Sequence, residues 1–210
     1  MFDLDGTLVR GDTLRAYVFG YLVRRPWRLP LLLAVIPATL RFLARRDHGA
    51  LKAAFIRATL GGQTRTALAA WTARFVARVV RRGLFRDARA RLERHRRYGD
   101  VLVLLSASPD LYVPAIGAAL GFTQVVCTGL KWEGERLDGH LTTPNRRGEE
   151  KVRCLEQLKA EHPRQQFAAY GNAASDLPHL RMADRPLLVN GSRRARAAAR
   201  RYGVPQATWR

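Results

Sequence analysis

Two kinds of apolar pattern divide the chain. Between residues 64 and 82, Leu68, Trp71, Phe75 and Val79 recur at spacings of three and four, the stripe of a helix with one buried face. Asp12 and Thr13 read as the cap of a helix running to residue 22, and the segments from there to about residue 98 keep a helical pattern. From Val101 the pattern changes to Val-Leu-Val-Leu-Leu, a continuous apolar run of the kind a strand buried on both faces carries. Pro109 sits near the first turn of the helix expected next. Further strands are predicted at 124–128, 167–170 and 187–190, helices at 149–161, 177–183 and 192–202, and a polar hairpin around Trp132-Glu133-Gly134-Glu135. Strands alternating with helices predict an α/β fold with a parallel sheet. Residues 1–11 and 98–210 then form the α/β core, and residues 12–97 a helical insert.

Ligands of parallel sheets bind at the carboxyl ends of the strands, and those ends carry the chemistry. The chain opens Met1-Phe2-Asp3-Leu4-Asp5-Gly6-Thr7. Side chains two apart on a strand leave on one face, so Asp3 and Asp5 are expected to share a pocket. One carboxylate can attack an electrophile while the other handles the leaving group's proton, and the pair suits a divalent cation. Gly6 and Thr7 let the backbone turn and free amide N–H groups for an anion. Taken alone, the motif is equally a turn ending a strand. Ser106 ends the second predicted strand, Gly171 and Asn172 with Asp176 follow a third, and Lys151 lies on the first turn of the helix at 149–161.

Charge narrows the partners. The formal charge is +20 and only Lys52, Lys131, Lys151 and Lys159 are lysine, so arginine carries nearly all of it. Such a surface favours polyanions. The arginine doublets are spread along the whole length, and no zinc-finger spacing, aromatic RNA-binding signature or basic zipper is present, which argues against a nucleic-acid protein. Cys127 and Cys154 make neither a zinc cluster nor a disulfide framework, so a reducing, cytoplasmic setting is expected. The chain begins with an acidic strand rather than a signal peptide. One strongly apolar stretch, residues 29–40, is bounded by Arg28 and Arg41, broken by Pro30 and Pro37, and preceded by Trp27. It is short of the roughly 20 apolar residues a bilayer span needs. It reads either as a helix lying in a membrane interface, on the inner face of the cell membrane, or as a buried helix of the insert.

Together, the motif at Asp3 and Asp5, Ser106, Lys151 and the segment Tyr170-Gly171-Asn172-Ala173-Ala174-Ser175-Asp176 resemble the haloacid dehalogenase superfamily, and within it the phosphoserine phosphatase-like branch with a helical cap. The resemblance covers essentially the whole chain. It implies a Rossmann-like parallel sheet with an inserted cap, and a phosphatase using magnesium (Mg2+) and an aspartyl-phosphate intermediate. Asp3 would be the nucleophile and Asp5 the general acid and base. Ser106 and Ala107 would bind the phosphoryl group with Lys151, and Asp3, Asp5, Asn172 and Asp176 would serve the metal. Two features depart from the family. Asn172 stands where an aspartate is usual, removing a negative charge and implying weaker magnesium binding, and only Met1 and Phe2 precede Asp3, where the family has several apolar residues. In its arginine-flanked apolar cap segment the chain also resembles the membrane-associated phosphatidylglycerophosphatases C, which implies a lipid phosphate substrate. A soluble metabolite phosphatase, and a non-catalytic phosphate- or nucleic-acid-binding protein with a decayed site, are the competing expectations.

Overall fold

The computed structural model describes residues 1–210. Its centre is a parallel sheet. The strands β1 (Val103–Pro109) and β2 (Gln124–Thr128) pair on one side, and β5 (Ala168–Gly171), β6 (Arg185–Val189) and β7 (Gln206–Ala207) on the other. Phe2 bridges the halves, pairing in parallel with both Leu104 and Tyr170. The Phe2 N–H donates to the Val103 carbonyl at 2.8 Å and the Asp3 N–H to the Tyr170 carbonyl at 2.9 Å. Strand alternation then sorts the core: Phe2, Leu104 and Tyr170 face one apolar layer, while Met1, Val103, Leu105 and Ala169 face the other. Helices α7 (Glu149–Glu161), α8 (Leu177–Met182) and α9 (Arg193–Arg201) cover the second layer through Leu155, Leu158, Leu180 and Ala195. Helix α6 (Val113–Ala119) belongs to the first layer through Ile116. The hairpin of β3 (Leu130–Glu133) and β4 (Arg136–Leu141) turns at Gly134, which has φ 55°.

The insert comprises α1 (Thr13–Val23), a 3-10 stretch (Pro26–Val35), α2 (Ile36–Arg45), α3 (His48–Leu60) and α4 (Arg65–Arg78), the last continued by a π turn (Val79–Gly83). Asp12, Asp47 and Thr64 cap the starts of α1, α3 and α4 with side-chain oxygens. The chain enters and leaves the insert side by side: the Arg10 N–H donates to Gly83 and the Phe85 N–H to Leu8, at 2.9 and 3.0 Å. The insert expected over 12–97 therefore closes near residue 83. Helix α5 (Arg86–Arg97) lies beyond the crossing and packs on the sheet, where His95 Nε2 meets the Tyr170 hydroxyl at 2.9 Å and the His95 ring sits edge-on to Phe2. Its helical pattern resembles the insert's, and periodicity carries no information about which body a helix covers.

An aromatic cluster fastens the cap to the core. Tyr17 of α1 stacks on Tyr112 at 4.8 Å, and Phe75 of α4 meets the same ring edge-on at 5.3 Å. The apolar stretch at 29–40 is not a buried helix. It is split between the 3-10 stretch and α2, and neither part contains a buried residue.

Candidate active site

The site begins where the first strand stops. The expectation that Asp3 and Asp5 leave one strand face does not hold, because the chain enters a turn at Leu4: the Leu8 N–H donates to the Leu4 carbonyl at 2.9 Å and Gly6 takes φ 74°. The two carboxylates consequently keep different company. Asp3 accepts from the Lys151 ammonium at 2.7 Å and from the Thr7 hydroxyl at 3.0 Å. Asp5 accepts from the Ser108 hydroxyl and the Thr13 N–H, both at 2.6 Å. The turn thus converts one motif into two separately held acids, one facing the core cation and one facing the cap.

Lys151 links Asp3 to Asp176, to which it donates at 2.8 Å. The other Asp176 oxygen accepts from the Asn172 and Ala173 N–H groups at 3.1 and 2.9 Å. Burial pushes the Asp176 carboxyl up, but Lys151, aided by His179 and the backbone donors, holds it below the usual carboxylate range. Burial likewise pushes Lys151 towards neutrality, and the two carboxylates overcome it and keep the ammonium charged. Asp3 ends at about 6: burial raises it, Lys151 pulls it down, and Asp176 and Asp5 push it up again. Burial also raises Asp5, against the opposing bonds from Ser108 and Thr13. At neutral pH Asp3 is ionised, while Asp5 retains a proton to a higher pH than an exposed aspartate would.

Ser106 is fully buried, and its oxygen accepts from the Ser108 N–H at 3.1 Å, which leaves its own proton to donate. Ala107 turns its carbonyl to the Thr128 hydroxyl at 2.7 Å and to the ammonium of Lys52. Lys52 comes from α3 of the cap and also donates to the side-chain oxygen of Asn145. Burial pulls its pKa down to about 8. Asn172 leans over Gly6: a Cβ added there would meet the Asn172 amide nitrogen at 2.0 Å, so only glycine leaves room.

Ser106, Ala107, Asp5, Asp3, Lys151, Asp176 and Asn172 thus meet in one crevice through direct bonds and neighbouring backbone. Their metal-binding capacity is uneven. Both Asp5 oxygens are engaged by Ser108 and Thr13, and both Asp176 oxygens by Lys151 and backbone amides. Asp3 likewise has both oxygens engaged, by Lys151 and Thr7, but Asp3 and Asp5 each take one hydrogen bond per oxygen and keep lone pairs to offer, and with the Asn172 amide oxygen they remain as hard donors that suit magnesium. Asp3, Asp5 and Asp176 share the crevice without converging as a three-residue metal cluster. Sequence reasoning took Thr13 only as the start of α1 and Thr7 only as part of the turn after Asp5, and gave Ser108 and Lys52 no role in the site. The one available signal for Lys52 was its rarity, one of four lysines among 37 cationic side chains.

A strand-end aspartate, a second acid, a serine and a buried lysine around an acidic loop mark a family as well as a fold. The profile of the haloacid dehalogenase-like hydrolases matches residues 1–181, and the chain belongs to that family. Protein CicA of Caulobacter vibrioides is 34% identical over 185 residues, covering 87% of this chain and 82% of that protein. Among solved structures, a protein of unknown function from Bordetella pertussis Tohama I superposes with TM-score 0.80 at 23% identity, covering 98% of this chain and 95% of the other. A phospho-aspartyl intermediate analogue of phosphoserine phosphatase superposes with TM-score 0.66 at 16% identity, covering 93% and 88%. These similarities establish the α/β core with its helical cap as a fold shared with phosphatases of the family.

Proposed function

We propose that this hydrolase cleaves phosphomonoesters in a magnesium-dependent reaction that passes through an aspartyl-phosphate on Asp3. The observation that carries the reading is the separation of Asp3, paired with Lys151, from Asp5, held by Ser108 and Thr13. Phosphoryl transfer needs positioning and neutralisation of charge on the equatorial oxygens more than covalent help. Asp3 attacks phosphorus, and Asp5 gives its proton to the departing alkoxide. In the second half Asp5 takes a proton from water, which attacks the phosphoryl group and restores the Asp3 carboxylate. Ser106 donates to a phosphoryl oxygen, and Lys151 offsets charge on Asp3 and the transferring group. Asp3, Asp5 and Asn172 would hold magnesium, which would supply charge neutralisation at the phosphoryl group. Asp176 orients Lys151 instead of holding the metal directly.

For the leaving group we favour a lipid phosphate such as phosphatidylglycerophosphate, because the cap bears an exposed apolar segment where a soluble substrate would need none. Phosphate release from p-nitrophenyl phosphate and from phosphatidylglycerophosphate in vesicles, with magnesium and with chelator, tests both parts. Asp3→Asn is expected to reduce release by at least about a thousandfold. Undiminished release by that variant, or a wild-type protein that binds polyanions without releasing phosphate, overturns the enzymatic reading. Turnover of soluble phosphomonoesters alone overturns the lipid assignment.

A further inference from the structure

The largest unexplained surface lies on the cap. Trp27 is 73% exposed, Leu33 67% and Leu40 63%, and Ile36, Leu40 and Leu43 stand one helical turn apart along α2. An 18-residue window within residues 26–45 has a mean hydropathy of 1.4 and no residue of the segment is buried, so an apolar plate faces outward where a soluble protein normally puts polar residues.

The plate is fixed in place. The Arg28 guanidinium donates back to the carbonyls of Thr59 and Gly61, both at 3.4 Å, tying the segment to α3, and the segment passes from 3-10 to α-helical geometry at Ile36. Pro30, Pro37 and Arg41 interrupt it further. Residues 26–45 are long and apolar enough by composition to cross a bilayer, but a segment tethered to α3 in this way offers its side to a surface.

Its rim is cationic. Arg24 and Arg25 lie over the rings of Trp71 and Tyr21 at 4.9 and 4.1 Å, and Arg41, Arg45 and Arg46 follow along α2. Arg46 is shared with a polar cavity of about 410 Å³, also lined by His48, Asn145, Arg147 and Ser175. That cavity adjoins the catalytic residues: Asn145 accepts from Lys52, and Ser175 precedes Asp176.

We propose that residues 26–45 form a docking face for an anionic bilayer, with the apolar plate seated at the headgroup boundary and the arginine rim set against lipid phosphates. A second copy of the chain is the poorer occupant, since each copy carries +20 and two arginine rims repel. An anionic leaflet neutralises that charge and covers the plate. Docked this way, the cavity beside the catalytic residues opens at headgroup level, where a lipid phosphomonoester enters without leaving the membrane.

The test is co-sedimentation of the full chain with substrate-free vesicles of phosphatidylglycerol and phosphatidylcholine, against phosphatidylcholine alone. Wild type is expected to partition at least about tenfold more strongly onto the anionic vesicles, and Ile36→Ser/Leu40→Ser/Leu43→Ser to lose at least about tenfold of that binding with its unfolding midpoint kept. Arg41→Glu/Arg45→Glu, which leaves the plate intact, is expected to lose the preference for anionic lipid. Wild type that stays in the supernatant, a triple serine variant that sediments like wild type, or a solution dimer that the same variant dissolves each overturns the proposal. The vesicles carry no phosphomonoester, so a failure of hydrolysis leaves this result untouched, and the reverse holds too.

Discussion

Lys52 crosses from the cap to the carbonyl beside Ser106, and its charge depends on where it sits. Burial brings its pKa to about 8, so the ammonium that faces the crevice is lost above that pH. Wild-type kcat/KM is expected to fall as pH rises through about 8. Lys52→Met is expected to lie about ten- to a hundredfold lower, the scale of one or two charged hydrogen bonds, and to lack that alkaline limb. A variant profile that keeps the limb would assign it elsewhere. His179 supplies a second titration, on stability. It is buried with Nδ1 unpartnered, and burial, then Lys151, push its pKa down from 6.5 to about 3. As pH falls through that window the unfolded chain takes up the proton that the folded chain refuses, so stability is lost by up to about 1.4 kcal/mol per pH unit. The stability difference between wild type and His179→Gln, measured in denaturant from pH 7 to 4, is expected to shrink with falling pH. A flat difference would show that His179 does not titrate this way.

Among the elements, the turn after the first strand does the most for the site. Its glycine is required twice over, by a φ of 74° and by the Asn172 amide lying where a side chain would begin. Gly6→Ala pays about 1–2 kcal/mol for the left-handed backbone and pushes Asn172 aside. The expected outcome is a melting temperature lower by on the order of 5 °C, with more magnesium needed for half-maximal activity. An unchanged magnesium requirement would remove Asn172 from the metal site. The same turn explains a sequence expectation that failed. Alternation places Asp3 and Asp5 on one face only while the strand continues, and it ends at Asp3. Helix α5 was placed in the insert, and the apolar cap stretch was left open between an interface and a buried helix, for a related reason. A 3.6-residue stripe marks a helix with a covered face but says nothing about what covers it, and α5 covers the sheet while residues 26–45 rest on α3 and leave their apolar outer face bare.

For the whole molecule, cap and core act together because apolar and polar contacts tie them at different points. Tyr17 and Phe75 close on Tyr112 at one side of the crevice, and Lys52 reaches Ala107 and Asn145 at the other. The net charge of +20 makes every encounter with an anion long-ranged and sensitive to salt. The sequence alone determined most element types, the parallel α/β class and the stretches carrying Asp3, Ser106, Lys151 and Asp176, though Pro109, expected in the first turn of a helix, ends β1 and α6 starts only at Val113. Periodicity and capping act over a few residues, and the position of a ligand site in such sheets follows from strand direction. Tertiary structure alone decided which partner each polar atom takes. Ser108 meets Asp5 across 103 positions of chain and Lys52 meets Asn145 across 93. It also decided that the apolar plate stays uncovered. Those outcomes depend on which distant surfaces exclude water from one another, and no local window of residues contains that information.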